Sequence, residues 1–569
     1  FGVTMPNHMI HMHTTAIMHR EKLIDRLTQF AIWVCLGVAL LLTLLMATSY
    51  RAAAQWSTDP ANPMVVCNAP DQQRSMRAIA DADSGWYVFW SDARNNAAKA
   101  DLYGQHFDSD GNALWTANGE LLLSDPARSI NILEPLLLPD GSVMMAYGTH
   151  AQINFMDTIR AMRFDVDGSA LWPTSSILLT GLDYRTMEVV PSDSCLYLVA
   201  YCESCGGGGY GYRMQRVRMD GTVQFPTLGQ PASGYWGSFS IHPDDVGGVL
   251  FNVRCGNGAG TCLKAQRFDT LGTAVWQADI DLADPDGLSY AFTTSQDGSG
   301  AETAVWEVNG DLRMRRIDTT GTSLWSPGVL PACALPTYSQ ALPAILTMGT
   351  ELFVAWQDNR PPANNVDLYI QKFDLTTGTA LWTADGVPTI QESSYIPTPR
   401  IVASDSGAVI GIMDMTGPHK FCAQRVHNDG SMAWAAPVSF STGPQPFYDD
   451  RTELSDGSGG VVAFWETATG DLYGARIYRN GLLYDDVDVA EHSSIHTIKA
   501  YPNPATDRVT LSVGNERVIR AEVVDATGRM HPVERDGASL NVHALAPGIH
   551  HVRLVCASGR VLRCSFIKW

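Results

Sequence analysis

A motif of about fifty residues occurs eight times along the chain, and it constrains the fold more than any other feature of the sequence. In the copy that runs from Glu351 to Trp382, apolar and polar residues alternate over Leu352 to Trp356 and again over Leu368 to Phe373. This alternation has the period of a half-buried β-strand. A tight turn follows, and Thr379 to Trp382 is predicted as a third short strand whose tryptophan packs on a neighbouring sheet.

The aromatic residues that close the eight copies are regularly spaced. They are Trp115, Trp172, Phe225, Trp276, Trp325, Trp382, Trp434 and Tyr484. A repeat of this length, with strand and turn signals and no helical period, is typical of one small antiparallel sheet per copy. Such sheets repeated around an axis form a β-propeller, for which eight blades is within the usual range. The sequence therefore predicts an all-β fold, with an eight-bladed β-propeller over residues 55–491.

The order of strands within a copy predicts where a ligand could bind. We expect the segment before each Asp-Gly turn to be the inner strand and the segment ending at the closing aromatic to be the outer one. This order places the tight turns on one face and the longer loops on the other, where binding sites usually lie. The loops that lead into the inner strands carry the candidate ligand-binding aromatics Tyr184, Tyr235, Trp236, Tyr290, Tyr338, Tyr395 and Tyr448. Such a ring could stack against sugars or a peptide, whereas its recurrence in every copy favours packing between blades.

Carboxylates near arginines recur in the loops between second and third strands. Asp92 and Arg94 form one such group, Asp358 and Arg360 a second, and Glu466 lies at the matching position. A catalytic pair or a calcium site is one interpretation. Ion pairs between loops are favoured, because the pattern repeats whereas an active site occurs once. No catalytic residue, metal ligand or cofactor is therefore assigned.

Charge and cysteine content limit the partners and the compartment. The 569 residues carry a formal charge of −20 without a basic cluster, which excludes nucleic acid as a partner. Cys255 and Cys262 flank one hairpin loop and are the candidate disulfide, as expected for an exported protein. Cys202 and Cys205 lie in the matching loop one copy earlier, so zinc is the less favoured alternative.

Residues 1–54 are predicted to be a leader. A basic segment from Met18 precedes the apolar run Ala31 to Ala47, and small residues at 52–54 form a cleavage site. This pattern is typical of a secretory signal peptide. We therefore expect no stable membrane span after cleavage; an uncleaved anchor is the alternative.

The motif Asp374, Thr377, Gly378 and Trp382 resembles the tryptophan-docking motif of quinoprotein-type eight-bladed propellers. The resemblance implies that each blade locks onto the next. It does not carry over redox chemistry, because those dehydrogenases need a vicinal disulfide and no two cysteines here are adjacent.

The tail of the chain carries, in this order, an opening YPNPA, a D-x-x-G-R turn, an L-x-P-G-I element and a final FIK. With these motifs it resembles the type A C-terminal sorting domain of the type IX secretion system. The sorting-motif residues are Tyr501, Pro502, Asn503, Pro504, Gly528, Arg529, Gly548 and Lys568. The resemblance implies a small Ig-like β-sandwich within the linker and tail at 492–569. It also implies export by the type IX machinery and a secreted or outer-surface location. His550 departs from the usual tyrosine.

The combined prediction is an exported, surface-attached or released propeller that binds a glycan or a protein through its long-loop face. A polysaccharide-acting enzyme with carboxylates in the propeller funnel is one alternative, and a purely structural or adhesive protein is another. Met64 to Cys67 is further predicted to pair beside Asp485 to Val489 and so to join the first blade to the last.

Overall fold

The computed structural model describes residues 56–484 and 500–568 apart from short internal segments. These segments are 151–155, 204–208, 236, 257–260, 284–287, 334, 336, 361–365, 392–397, 406–408, 416–419, 448–450, 514–517, 526–529, 532 and 557–560. Every regular element in the described part of the chain is a β-strand, which confirms the all-β class. No helix there has the length and apolarity to cross a membrane. The predicted leader, residues 1–54, lies outside the described residues.

Thirty-one strands precede the tail in the described residues. They are β1 (Met64–Cys67), β2 (Gln73–Ala80), β3 (Trp86–Asp92), β4 (Asp101–Phe107), β5 (Glu120–Leu123), β6 (Ser129–Leu137), β7 (Val143–His150), β8 (Met156–Phe164), β9 (Ser176–Ser192), β10 (Cys195–Cys202), β11 (Gly211–Arg218), β12 (Gln230–Ser233), β13 (Phe239–Pro243), β14 (Val249–Gly256), β15 (Thr261–Phe268), β16 (Ile280–Asp281), β17 (Leu288–Gln296), β18 (Glu302–Val308), β19 (Asp311–Ile317), β20 (Leu330–Cys333), β21 (Gln340–Met348), β22 (Glu351–Asp358), β23 (Asp367–Asp374), β24 (Val387–Ile390), β25 (Arg400–Ala403), β26 (Val409–Met415), β27 (Lys420–Val426), β28 (Val438–Ser441), β29 (Arg451–Ser455), β30 (Val461–Glu466) and β31 (Leu472–Ile477).

These strands form antiparallel sheets of consecutive strands, such as β2-β3-β4-β5 and β21-β22-β23-β24. One larger sheet runs from β6 to β12, because the long strand β9 pairs with β8 through its first half and with β10 through its second. The second and third strands are buried on both faces; all seven residues of β3 are buried. One apolar cluster contains Val305 and Trp325 of one sheet with Leu352 and Trp356 of the next. The core therefore lies between sheets, where each covers the apolar face of its neighbour.

The first strands of successive copies contact one another in chain order, and we call them the inner strands. The contacts run β2 to β6, β6 to β9, β9 to β13, β13 to β17, β17 to β21, β21 to β25 and β25 to β29. Strand β29 in turn contacts β2. The last sheet before the tail thus lies beside the first.

The closing tryptophans lie in turns, which corrects the prediction that they end the outer strands. The fourth strand comes later in each copy; in the sixth copy it is β24, which begins five residues after Trp382. The backbone N–H of Trp382 donates to the side-chain oxygen Gln371 Oε1 on β23 at 3.2 Å, so it does not donate to the backbone of a neighbouring strand. The indole of Trp382 reaches the following copy, where its Nε1 donates to Asn428 O at 2.9 Å.

This indole contact recurs along the chain. The donor Nε1 and acceptor carbonyl pairs are Trp56 and Ser109, Trp115 and Val166, Trp276 and Thr319, Trp325 and Leu375, Trp382 and Asn428, and Trp434 and Arg479. The packing on a neighbouring sheet predicted for Trp382 is therefore present at several junctions. Each tryptophan fixes its own copy to the next one.

The first strand of the chain completes the last sheet. Strand β1 pairs with β31, with Met64 opposite Gly474 and Val65 opposite Tyr473. The predicted joining of first and last copies by Met64 to Cys67 is thus present, but the partner is β31; Asp485 to Val489 lies outside the described residues. The expected closing aromatic Tyr484 is 49% exposed, whereas Trp56 is 4% exposed and docks on the first copy. Trp56, which precedes β1, therefore takes the closing role predicted for Tyr484.

The tail consists of two further sheets. Its strands are β32 (Ala500–Tyr501), β33 (Arg508–Leu511), β34 (Val518–Asp525), β35 (Met530–His531), β36 (Arg535–Asp536), β37 (Ser539–Asn541), β38 (Gly548–Cys556) and β39 (Val561–Lys568). The sheet orders are β32-β33-β37-β36 and β35-β34-β38-β39. Val509 and Leu540 of the first sheet share an apolar core with Val523 and Phe566 of the second. An Ig-like topology for this two-sheet unit stays a prediction.

Candidate functional site

The candidate aromatic residues are not brought together by the described structure. Tyr184 is fully buried in the core, which is the packing role that recurrence favours. Tyr235 and Tyr338 are half-buried. Trp236, Tyr395 and Tyr448 lie outside the described residues, and the side chain of Tyr290 does too. Binding by an aromatic ring stays a prediction.

Polar side chains form contacts between neighbouring inner strands. Arg77 Nε on β2 lies 3.7 Å from Glu134 Oε1 on β6. On the next pair, Glu188 Oε2 of β9 accepts a hydrogen bond from the Ile241 amide of β13 at 2.9 Å. These contacts cross from one inner strand to the next, so they place two glutamates and an arginine on consecutive copies.

The polar contacts continue through the following inner strands. His242 Nε2 and Ser240 Oγ of β13 each lie 2.7 Å from Thr294 Oγ1 of β17. Arg451 Nε lies 2.6 Å from Glu453 Oε1 within β29. We call the set the inner-strand polar row; it comprises Arg77, Glu134, Glu188, Ser240, His242, Thr294, Arg451 and Glu453. It supplies hydrogen-bond donors, acceptors and charge of both signs along the inner strands.

Burial sets unusual protonation states in this row. Desolvation raises the pKa of Glu188 to about 7, and the nearby Glu134 charge acts in the same direction. Burial also raises the pKa of Glu134, which Arg77 partly opposes. Burial lowers the pKa of His242 to about 4. At neutral pH the row therefore holds a neutral imidazole and a glutamate that exchanges its proton, the state required of a general acid or base.

The Glu188 shift predicts a pH dependence of stability. The unfolded chain releases this proton near the ordinary value of 4.5, whereas the folded protein holds it to about pH 7. Folding therefore takes up a proton in this window, and the free energy of unfolding falls as pH rises through it. Between pH 4.5 and 7.5 we expect the free energy of unfolding to fall by about 3 kcal/mol less in Glu188→Gln than in the parent protein. Urea unfolding at a series of pH values measures this difference. Identical pH profiles for the two proteins would contradict the assignment.

The sequence reasoning did not single out Glu134, Glu188 or His242. Each lies on the first strand of its copy, and alignment of the eight copies would have shown charged side chains where an inner strand is usually apolar or small. Their contacts run between inner strands of different copies, so the sequence of a single copy does not show them.

The loop carboxylates form local ion pairs. Arg94 Nη2 lies 2.6 Å from Asp92 Oδ2, and Arg360 Nη2 lies 2.6 Å from Asp358 Oδ2. Glu466 pairs with Arg74 of the first copy. No group of three or more metal-ligating side chains occurs among the described residues. The first two pairs each lie within one loop, and only the Glu466–Arg74 pair joins two copies, so the predicted pairing between neighbouring loops is present at Glu466 and not at Asp92 or Asp358.

Cys255 and Cys262 form a disulfide directly across β14 and β15. Cys202, the alternative zinc ligand, is also disulfide-bonded, whereas Cys205 lies outside the described residues. The Cys255–Cys262 bridge ties the two ends of one hairpin loop.

The two ends of the sorting motif meet in the tail. Asn503 Oδ1 accepts the Ile567 amide at 2.8 Å, and the Ala505 amide donates to Ile567 O at 2.8 Å. Tyr501 is 78% exposed, whereas Lys568 is buried. The remaining motif residues divide between the exposed Pro502, Pro504 and Gly548 and the pair Gly528 and Arg529, which lies outside the described residues. The exposed opening thus rests on the last strand.

His550, which departs from the usual tyrosine, keeps an aromatic packing role. It is buried, its Nε2 lies 2.9 Å from Ala546 O, and its ring stacks on Phe566 with centroids 5.6 Å apart. An imidazole therefore fills the core position here.

Three solved structures illustrate the likenesses found. A protein of unknown function from Dyadobacter fermentans DSM 18053 is 13% identical, with 64% of this chain and 93% of that chain covered and a TM-score of 0.32. The Dos1 propeller is 11% identical, with 60% and 79% covered and a TM-score of 0.36. An endo-arabinase from Bacteroides thetaiotaomicron VPI-5482 is 13% identical, with 56% and 95% covered and a TM-score of 0.26. No curated protein matches the chain.

The tail is similar to a defined family. Residues 499–566 match the model of the secretion system C-terminal sorting domain. This match confirms the assignment made from the YPNPA opening and the FIK ending, and it implies interaction with the type IX secretion machinery. The chain therefore carries a type IX C-terminal sorting domain, which directs the protein to the cell surface or to secretion.

Proposed function

We propose that residues 56–484 form an eight-bladed β-propeller. The contacts between inner strands support it, because they visit eight strands in chain order and return from β29 to β2. The indole hydrogen bonds support it as well, since six of the eight junctions carry one. An eight-membered circuit of sheet-forming copies that each need a neighbour is the propeller architecture.

We further propose that this exported propeller is a binding protein and that its ligand is a glycan. The observation that carries the proposal is the inner-strand polar row. Sugars present many hydroxyl groups, and Glu188, His242 and Thr294 offer acceptors and donors for them on three consecutive inner strands. A sorting tail that delivers the protein to the cell exterior places this site where polysaccharides are encountered.

A glycan array screened with the full-length exported protein tests the proposal. We expect saturable binding of a defined glycan, and a loss of at least tenfold in affinity for Thr294→Val, which removes a hydroxyl from the row. Asp110→Asn is the matched control, because Asp110 is an exposed turn residue away from the row. Failure to bind any glycan, or equal affinity of Thr294→Val, would rule out this site.

Glu134 and Glu188 favour one second candidate, a glycan-acting hydrolase. Two carboxyl groups, one with a pKa near neutrality, are the usual machinery of glycoside hydrolysis. Under this alternative the bound glycan is cleaved, and Glu188→Gln abolishes release of reducing ends while leaving binding in place. Binding without product release supports the first candidate.

A further inference from the structure

Seven of the eight copies carry arginine or lysine at one position of the third strand. In the described structure, five of these side chains are hydrogen-bonded to a backbone carbonyl of the next copy. In the fourth copy Arg267 Nε binds Asp244 Oδ2 of its own tight turn at 2.9 Å, and its Nη1 donates to Thr319 O of the next copy at 3.2 Å. In the last copy Arg476 binds Asp456 at 2.8 Å and Ser109 O at 2.9 Å.

The carbonyl that accepts from the basic residue also accepts from the docked indole. Thr319 O receives Trp276 Nε1 as well as Arg267, and Leu375 O receives Trp325 Nε1 as well as Arg316. The guanidinium therefore lies among a turn carboxylate, a carbonyl and a tryptophan. These are the partners that a guanidinium group prefers.

The first copy departs from this pattern, because its residue is His106. His106 Nε2 lies 2.7 Å from Asp81 Oδ2, and the imidazole stacks on Tyr87 at 4.1 Å. The corresponding carbonyl, Val166 O, accepts Trp115 Nε1 at 3.3 Å, and no contact joins it to His106 in the described structure. Imidazole is shorter than guanidinium, so it serves the carboxylate and does not reach the next copy.

A cavity of about 590 Å³ lies at this junction. Its walls include His106, Tyr87, Trp115, Val166 and four carboxylates. The carboxylates are Asp81, Asp83, Asp140 and Asp167. Arg163 is paired with Asp140, and His106 with Asp81, so Asp83 and Asp167 face the cavity without an ion-pair partner among the described residues. The size is within the range of sites for small ligands.

We propose that this cavity binds the guanidinium group of an arginine-bearing ligand, such as an arginine side chain of a peptide. The ligand group takes the position that the chain's own arginine takes in other copies, between the turn carboxylate and Val166 O and against the Trp115 ring. The surplus of carboxylates attracts a cation and repels an anion. The site shares no residue with the inner-strand polar row, so it is independent of the proposed glycan binding.

Calorimetric titration of the full-length exported protein with agmatine, which has a guanidinium and no carboxylate, tests the site. We expect one saturable binding event per chain. Cadaverine, an alkyl diamine, should bind at least tenfold more weakly, because an ammonium cannot make the planar paired contacts of a guanidinium. Absence of saturable agmatine binding, or equal binding of cadaverine, would overturn the proposal.

His106→Arg is the decisive variant. The new side chain should fill the cavity, so agmatine affinity falls at least tenfold while the melting temperature stays the same or rises. Asp81→Asn, which keeps the size of the side chain, should also lower the affinity for agmatine. This variant tests the site if His106→Arg fails to fold. Asp110→Asn is the control and should bind as the parent does. Unchanged affinity in a folded His106→Arg protein would show that agmatine binds elsewhere.

Discussion

Replacing Trp56 with alanine is expected to lower the free energy of unfolding of the protein by about 3–5 kcal/mol. The side chain is 4% exposed, packs edge-on against Trp86 with centroids 5.4 Å apart and donates to Ser109 O at 3.1 Å. It also lies over Gly111, where an added Cβ would come within 3.1 Å of the ring. Loss of the indole leaves a cavity at the junction that joins the last copy to the first. Urea unfolding followed by tryptophan fluorescence measures the change.

Tyr484→Ala is the matched control for Trp56→Ala. Tyr484 holds the closing position in the repeat pattern, yet it is 49% exposed. Its removal should change stability by about 0.5 kcal/mol or less, as is usual for surface substitutions. A larger effect for Tyr484 than for Trp56 would show that Tyr484, and not Trp56, joins the last copy to the first.

Asp358→Ala is expected to lower the free energy of unfolding by about 3–5 kcal/mol, because it breaks a buried ion pair. The Asp358 side chain is fully buried and accepts Trp356 Nε1 at 2.8 Å, Arg360 Nε at 2.9 Å and Arg360 Nη2 at 2.6 Å. Without the carboxylate, the Arg360 guanidinium loses its compensating charge over the Tyr369 ring. Thermal and urea unfolding should both report the loss.

The first copy repeats this network with Asp92, Trp90 and Arg94, so Asp92→Ala should show a loss of similar size. Asp110→Ala, an exposed turn variant, should leave stability nearly unchanged. A loss below about 1 kcal/mol for Asp358→Ala would mean that the pair is solvated and that the network is not a main support of the blade.

The fold was predictable where the signal is local and recurs. Alternation over Leu352 to Trp356 specified a strand, and β22 is present there. The outer strands were misplaced because they are only about four residues long, too short for a period of two to stand out beside a conspicuous tryptophan. Trp56 was not recognised as the closing residue because it belongs to the last sheet although it precedes the first.

The candidate site was less predictable, because it depends on which strands are neighbours. Glu188 and Ile241 are hydrogen-bonded across two copies, and nothing near either residue in the sequence signals the other. The His106 cavity is different, because aligning the eight copies shows a histidine at a position where the other seven copies carry arginine or lysine. In a repeat, a position at which one copy differs from the others is a candidate functional position, whereas a position that is the same in every copy mainly serves packing.

The pairing of β1 with β31 has a consequence for how the protein is made. The ribosome produces Trp56 and β1 at the start and their partner sheet more than 380 residues later. During that time β1 has no edge to join. The pairing of β1 with β31 therefore waits for the last copy, and a prematurely terminated polypeptide lacks this contact between the first and last copies.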